Sequence, residues 1–516
     1  MSKNDIKFAV GSSARRSLVA GAAGVTLVPV FTAEDETKGL QLAKRVSAQA
    51  KLAGFKGETG QTMSGATTDG ASTINFGVGS KSKFGIEAWR KAVTAAVKQA
   101  RGLKTDSITL KMPAGLTGAK ALFGSASLYD VGVTTAETVA MVLYRANHYK
   151  TSEGGFKDEG SISNVSVNVS GLNAEQNREF QRGIAAGATI GNAVAIARDT
   201  ANEPANICTP TFMAEQALQL AKDFPGSITV EILERKQCET LKMNAFLAVA
   251  KGSDEPPKFI IVKYTPAQCR ADGPNLAIVG KSVTFDTGGV DLKPADGMRD
   301  MKYDMCGGAD VLAAMRAIAT IGVPMKITAY CAATENATGG SAYRPGDVYV
   351  GLDGRSYEID NTDAEGRLTL VDAIAYARTF GKATHIVDYA TLTGAILVAL
   401  GDQVAGVFSN NQDFADRYLA AAKSQGELAY QLPTWDVYKD YNKSSIADMK
   451  NSGGRFGGSI TAALFVLSAA RDVPAIHVDI AGTSFRNREV GHEPAGGTGW
   501  GVRTLIALAQ DLAKNG

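Results

Sequence analysis

The stretch Ser356-Tyr357-Glu358-Ile359-Asp360-Asn361-Thr362-Asp363-Ala364-Glu365-Gly366-Arg367-Leu368-Thr369-Leu370-Val371-Asp372-Ala373-Ile374-Ala375 contains a change of period that decides the fold class. Ser356 to Ile359 reads as a short strand, and Leu368, Leu370, Val371, Ile374 and Ala375 then recur at helical spacing. Between them Asp363, Glu365 and Arg367 stand at every second position, so an extended backbone would project all three to one side. Alone, such a trio would be a solvated turn with a surface ion pair. At a strand-to-helix junction it becomes a candidate metal or anion site, because open α/β sheets bind ligands beyond the carboxyl ends of their strands.

A second charged cluster lies upstream. Leu276-Ala277-Ile278-Val279 reads as a buried strand that gives way to Gly280-Lys281-Ser282-Val283-Thr284-Phe285-Asp286-Thr287-Gly288-Gly289, with Lys293, Asp296, Asp300 and Asp304 following before a helix. Gly280-Lys281-Ser282 imitates the end of a phosphate-binding loop. That motif needs a glycine at position 275 and a helix directly afterwards, whereas position 275 is Asn and Thr284 to Gly289 is a poor helix start.

Asp286, Asp304, Asp363 and Glu365 are too much negative charge to gather in a sheet crevice without compensating cations. Two divalent metals would compensate them, in the manner of two-metal hydrolases whose ions stand about 3.5–4 Å apart. A lysine amine can join as a neutral ligand where neighbouring cations depress its pKa. Taken singly, each residue has a plainer reading. Asp286 could cap the Gly288-Gly289 turn, Asp304 could cap the helix beginning near residue 307, and Lys281 and Lys293 could be solvated. Asp291, Asp296 and Asp300 are assigned to loop surface.

Together the motifs resemble the leucyl aminopeptidase family of cytosolic metallopeptidases. The resemblance is carried by Val279 to Gly289, Met301-Lys302-Tyr303-Asp304-Met305-Cys306-Gly307-Gly308-Ala309 and the octapeptide Asn361 to Leu368. Ala197-Arg198-Asp199, Asn202-Glu203-Pro204, Asp388 to Ala395, Ile446 to Asn451 and Gly499 to Leu505 follow in the family's order, so that it covers residues from about 170 to the C-terminus. It implies that Asp286 and Glu365 bridge two divalent ions, that Asp363 completes one site, and that Lys281 and Asp304 complete the other. It implies Lys293 and Arg367 as the catalytic positions, the latter holding a bicarbonate ion. Met301, Thr391 and Gly394 would line the pocket for the first substrate side chain, of leucine or methionine type with broad specificity. The ions would be zinc or manganese, with magnesium possible. The resemblance further implies peptide substrates with a free N-terminus, a cytoplasmic location and a homohexamer. Ser282, Asp360 and Tyr389 depart from the usual family pattern, and none is an implied ligand.

Other features narrow the chemistry. The chain has four histidines, His148, His385, His477 and His492, none within either charged cluster. There is no H-E-x-x-H for a single-zinc protease and no G-x-S-x-G elbow with a histidine partner. The five cysteines, Cys208, Cys238, Cys269, Cys306 and Cys331, are scattered without C-x-x-C spacing, which suits free thiols in a reducing compartment. A net charge of +2 from 54 basic and 52 acidic residues gives no reason to expect nucleic-acid or membrane binding. Two other classes remain: a non-catalytic scaffold of the same family, and a different two-metal amidase or phosphoesterase.

The 516 residues imply at least two domains. A smaller N-terminal α/β domain is expected over 1–172, a connecting helix over 173–202 ended by Pro204, and a larger catalytic α/β domain over 203–516. The latter should hold a central mixed, largely parallel sheet flanked by helices, with strands at 259–262, 276–279, 327–330 and 386–388 and helices near 307–322, 367–380, 411–425 and 458–471. In the first domain, helices are expected over 85–100 and 135–149, a strand over 107–110, another within 18–31 rather than a signal peptide, and an exposed Gly, Thr and Ser-rich loop over 56–72.

Overall fold

A computed structural model describes residues 6–11, 24–32, 54–66, 71–103, 105–118, 122–146, 149, 162–270 and 273–515. Its contacts divide the chain into two compact units, one of Met1–Ala195 with Arg488–Pro494 and one of Ile196–Asn487 with Ala495–Gly516.

In the first unit, strands β1 (Lys7–Gly11), β2 (Val25–Phe31), β3 (Thr62–Ala66), β4 (Ser72–Gly79), β5 (Ser107–Lys111) and β6 (Asn164–Asn168) form a sheet in the order β1-β6-β5-β2-β4-β3. All neighbours are parallel except β3 and β4. Trp89 of helix α1 (Ile86–Arg101) anchors the core among Phe76, Phe84 and Phe123. Two expectations are corrected. The polar stretch from Lys56 contains β3, because its residues can pair antiparallel with β4 at the sheet edge while leaving Gly65 and Ala66 exposed. Helix α2 runs Leu128–Leu143, not 135–149: Ser127 and Asp130 close a capping box that starts it seven residues earlier. Of the strand expected within 18–31, Val25–Phe31 is seen; residues 12–23, like 67–70 of the loop and His148, lie outside the described residues.

Helix α3 (Ala174–Asn202) contains the division between the units. In the second unit, β7 (Ile228–Glu234), β8 (Lys258–Tyr264), β9 (Asn275–Asp286), β10 (Lys326–Asn336), β13 (His385–Ala390), β14 (Ala405–Ser409), β15 (Ala429–Gln431) and β17 (Ala475–Asp479) form an eight-stranded sheet in the order β15-β14-β17-β13-β9-β10-β8-β7. Its middle, β17-β13-β9-β10, is parallel, and β14 against β17, β10 against β8 and β8 against β7 are antiparallel. The sheet is therefore mixed with a parallel centre. Small strands β11 (Val348–Val350), β12 (Ser356–Glu358) and β16 (Met449–Lys450) make a separate sheet beside it.

Leu276–Val279 of β9 are fully buried, as a strand covered on both faces requires. Helices α4 (Pro210–Asp223), α5 (Cys306–Ile321), α6 (Gly366–Thr379), α7 (Gly394–Leu400), α8 (Gln412–Gln425), α9 (Gly458–Leu467) and α10 (Val502–Asn515) surround the sheet. No described helix is long and apolar enough to cross a membrane. The parallel strands end in two steps at one edge, β13 and β17 at Ala390 and Asp479 and β9 and β10 farther on at Asp286 and Asn336, and the charged clusters lie there.

Candidate metal centre

Close backbone packing sets the first half of the site. A Cβ on Gly280 would stand 2.6 Å from Gly307 O, and one on Gly307 would stand 2.1 Å from Tyr389 O, so only glycines let α5 sit this near β9 and β13. Asp304, just ahead of α5, is thereby brought to Lys281. Lys281 Nζ donates to Asp304 Oδ1 at 2.6 Å and to Thr391 O at 2.9 Å, and the Thr391 hydroxyl donates to the same Asp304 oxygen at 2.7 Å. Asp304 is thus not the N-cap of α5, a position taken by Met305.

The octapeptide supplies the second half, by a route the alternation did not foresee. Asn361 to Glu365 is a turn, not an extended strand: Asn361 Oδ1 accepts from Asp363 N at 2.7 Å, Glu365 is already helical at φ −78° and ψ −39°, and Gly366 opens α6. An asparagine that bonds the backbone two residues on competes with extended geometry. The three side chains consequently take different partners. Glu365 Oε1 lies 2.7 Å from Lys281 Nζ, Asp363 pairs with Lys293, and Arg367 Nη1 donates to the carbonyl of Asn451. Lys293 Nζ also lies 2.9 Å from Asp286 Oδ2. Asp286 does cap its turn, as Oδ1 accepts from Gly288 N and from Asn336 Nδ2, both at 2.8 Å, while its other oxygen faces the cluster.

Asp286, Asp363 and Glu365 each offer a carboxylate oxygen within 4.8 Å of the others. Lys281, Asp286, Asp304, Glu365 and Arg367 are buried, Lys293 is partly so, and Asp363 is the exposed member. Glu365 Oε1, although near Lys281, makes no hydrogen bond, and neither does the buried Asp304 Oδ2. Burial and the charge of Glu365 push the Asp286 carboxyl up to about 6 against the pull of Lys293 and Lys281. Burial also raises Asp304 and Asp363, whereas Lys281 and Lys293 outweigh burial at Glu365 and hold it low. Burial would lower both lysines, but the carboxylates around them raise them instead. Such a donor set, hard oxygens in excess over two ammoniums with buried oxygens unbonded, fits divalent cations. A lysine could ligate there once the cation's charge replaces its proton. Burial moves Arg367 down to about 10, which leaves it a cation at neutral pH.

Thr391 turns its hydroxyl and carbonyl to Asp304 and Lys281. Gly394 is exposed, and a Cβ there would meet nothing within 4 Å. Met301 is partly buried on the turn before Asp304, whose N–H bonds its carbonyl at 3.2 Å. His477 is buried in β17 with Nδ1 2.6 Å from Asp388, and His385 contacts Thr384 and Phe414. All five cysteines are free, and burial pushes Cys208, Cys238 and Cys331 up to about 12.

One surface residue has a structural part as well. Asp291, though exposed, braces the octapeptide: its carboxylate accepts from Thr362 N at 2.7 Å and its N–H bonds the Thr362 hydroxyl at 2.9 Å. Thr362 O accepts from Tyr343 at 2.6 Å and Asn336 at 3.1 Å. Asp360 lies 3.7 Å from Lys450.

The cytosol aminopeptidase family's catalytic-domain model matches residues 195–506 and its N-terminal-domain model matches residues 27–153. A probable cytosol aminopeptidase of Solibacter usitatus is 41% identical, covering 84% of this chain and 86% of its own. One from Alkaliphilus metalliredigens is 40% identical, covering 93% of each. Among solved structures, a mutant of tomato leucine aminopeptidase has a TM-score of 0.85 at 30% identity, covering 99% of this chain and 98% of its own. The bottromycin maturation enzyme BotP in complex with Mn has a TM-score of 0.83 at 30% identity, covering 95% of this chain and 100% of its own.

Proposed function

This chain belongs to the cytosol aminopeptidase family and so is a metal-dependent exopeptidase acting on peptides, and from that premise we propose a two-metal mechanism for it. Asp286 and Glu365 would be shared between the ions, Asp363 would complete one site, and Lys281 with Asp304 the other. The supporting observation is the convergence of the Asp286, Asp363 and Glu365 carboxylate oxygens within 4.8 Å. Such ions, when bound, supply a water acidic enough to be hydroxide near neutral pH and a Lewis acid for the scissile carbonyl.

The chain's own residues do the rest. Lys293, partly exposed beside Asp286 and Asp363, would donate to the oxygen that becomes negative in the tetrahedral transition state. Arg367 presents a buried guanidinium whose Nε has no hydrogen bond partner, and a planar fork of this kind matches a planar oxyanion. We assign it bicarbonate, which would carry a proton from water to the leaving amine. Met301, Thr391 and Gly394 would bound the pocket for the first side chain, where the missing Cβ at Gly394 leaves room for a leucine or methionine. Apolar pockets separate similar side chains by only about 1–3 kcal/mol, so selectivity should be broad. Zinc or manganese, with magnesium as a third choice, a cytoplasmic location and a homohexamer complete the proposal.

The test is hydrolysis of leucyl-amide and N-acetyl-leucyl-amide by metal-loaded protein. Cleavage of the free amine alone supports an aminopeptidase with an amine-binding ion, and equal cleavage of both defeats the mechanism.

A further inference from the structure

Asn451 follows β16 and is fully buried, and its side chain spends all its hydrogen-bonding capacity on the octapeptide turn. Oδ1 accepts from Asp360 N at 2.8 Å and Asn361 N at 3.2 Å, while Nδ2 donates to Asn361 O at 2.7 Å and Ala364 O at 3.1 Å. A flipped amide would set N–H groups against N–H groups, so one orientation is allowed. The same residue's N–H is fixed to Glu358 O at 3.0 Å, and its carbonyl accepts from Arg367 Nη1. Asn451 therefore joins both ends of the turn to the guanidinium that follows it.

Other members of the cluster have separate supports. Thr362 is held by Asp291, Asn336 and Tyr343, the Asp363 N–H by Asn361, and Glu365 lies beside Lys281. For Arg367, the Asn451 carbonyl is the one hydrogen-bond acceptor found among the described residues, and the buried Nε is unbonded. A guanidinium with so few tethers keeps its position only if that carbonyl keeps its own.

We propose that Asn451 is a positioning residue for the peptidase reaction, acting through Arg367: its amide locks the turn and thereby aims the carbonyl that holds the guanidinium. The inference rests on the reading of Arg367 as a participant in turnover. Asn451→Asp retains the shape and both acceptor contacts but turns a carboxylate on the carbonyls of Asn361 and Ala364; Asn451→Ala removes all four bonds.

The experiment measures kcat and KM for leucyl-amide, metal content and thermal midpoint for wild type, both Asn451 variants, Arg367→Ala, and Asn451→Ala combined with Arg367→Ala. Each Asn451 variant should lose about ten-fold or more in kcat, with KM within about three-fold and metal content unchanged. In the double variant, kcat should fall no further than about two-fold below Arg367→Ala, because the two residues act as one unit. A folded Asn451 variant with wild-type kcat overturns the inference, as does a double variant whose loss is the product of the two single losses. If both single variants fail to fold, Asn451 is a folding residue and the positioning role is refuted. If Arg367→Ala alone turns over normally, the underlying reading of Arg367 has failed; if it is impaired while the Asn451 variants are not, only the inference has.

Discussion

Replacing Gly366 by alanine should disable the site through a single methyl group. A Cβ there would stand 2.4 Å from Lys281 Cε, 2.8 Å from its Nζ and 2.9 Å from its Cδ. Ordinary contact starts at 3.4 Å, so the lysine must retreat by about 1 Å. A surface lysine would swing aside at little cost, but Lys281 is only 3% exposed and is bound to Asp304 and Thr391 with Glu365 beside it. Overpacking of this kind costs about 1–3 kcal/mol of stability. A displacement of about 1 Å at a reacting centre is enough for roughly 100-fold in rate. Gly366→Ala should therefore remain folded, lose up to about 3 kcal/mol in denaturant unfolding, bind metal more weakly, and hydrolyse leucyl-amide roughly 100-fold more slowly. The assay is turnover alongside metal analysis of the dialysed protein. Wild-type turnover and wild-type metal content together would show that Lys281 has freedom the geometry denies it.

Glu365→Gln keeps the side chain's volume but removes the charge proposed to serve both ions; metal content should fall and turnover drop below detection while circular dichroism is unchanged, and normal turnover in metal-defined buffer would refute the role. Removing metal with a chelator should abolish activity, and titrating metal back in weakly buffered solution should release protons, since Lys281 is held protonated by its carboxylate neighbours; a titration without proton release would mean that Lys281 is no ligand. Because the metal-free Asp286 carboxyl sits at about 6, raised above its usual range, protons compete with metal increasingly below that pH; affinity measured between pH 5 and 8, an interval of about three units around that value, should rise with pH, and a flat profile would contradict the ligand set.

The sheet was legible because buried parallel strands announce themselves as apolar runs: Leu276 to Val279 reads as a central strand before any partner is known, and helical spacing after Gly366 marks the next element. Motif order then pointed to the family. The details that failed were decided by local hydrogen bonds or by distant partners. Asn361 bonds the Asp363 N–H and makes a turn of what alternation reads as a strand, and Ser127 with Asp130 starts a helix ahead of its apolar pattern. Asp291 and Asn451 lie 71 and 90 residues from their octapeptide partners Thr362 and Asn361, and no spacing rule links them. Asn451 stood inside a recognised motif, yet its meaning depends on four bonds that only the fold brings together.

The central claim is that the Lys281, Asp286, Asp304, Asp363 and Glu365 cluster holds two ions that a free-amine substrate requires. Metal analysis of active protein, titrated to full leucyl-amide turnover, tests it most directly. Two divalent ions per chain at full activity, with N-acetyl-leucyl-amide left intact, is the predicted result; full activity with one ion or none would contradict the account.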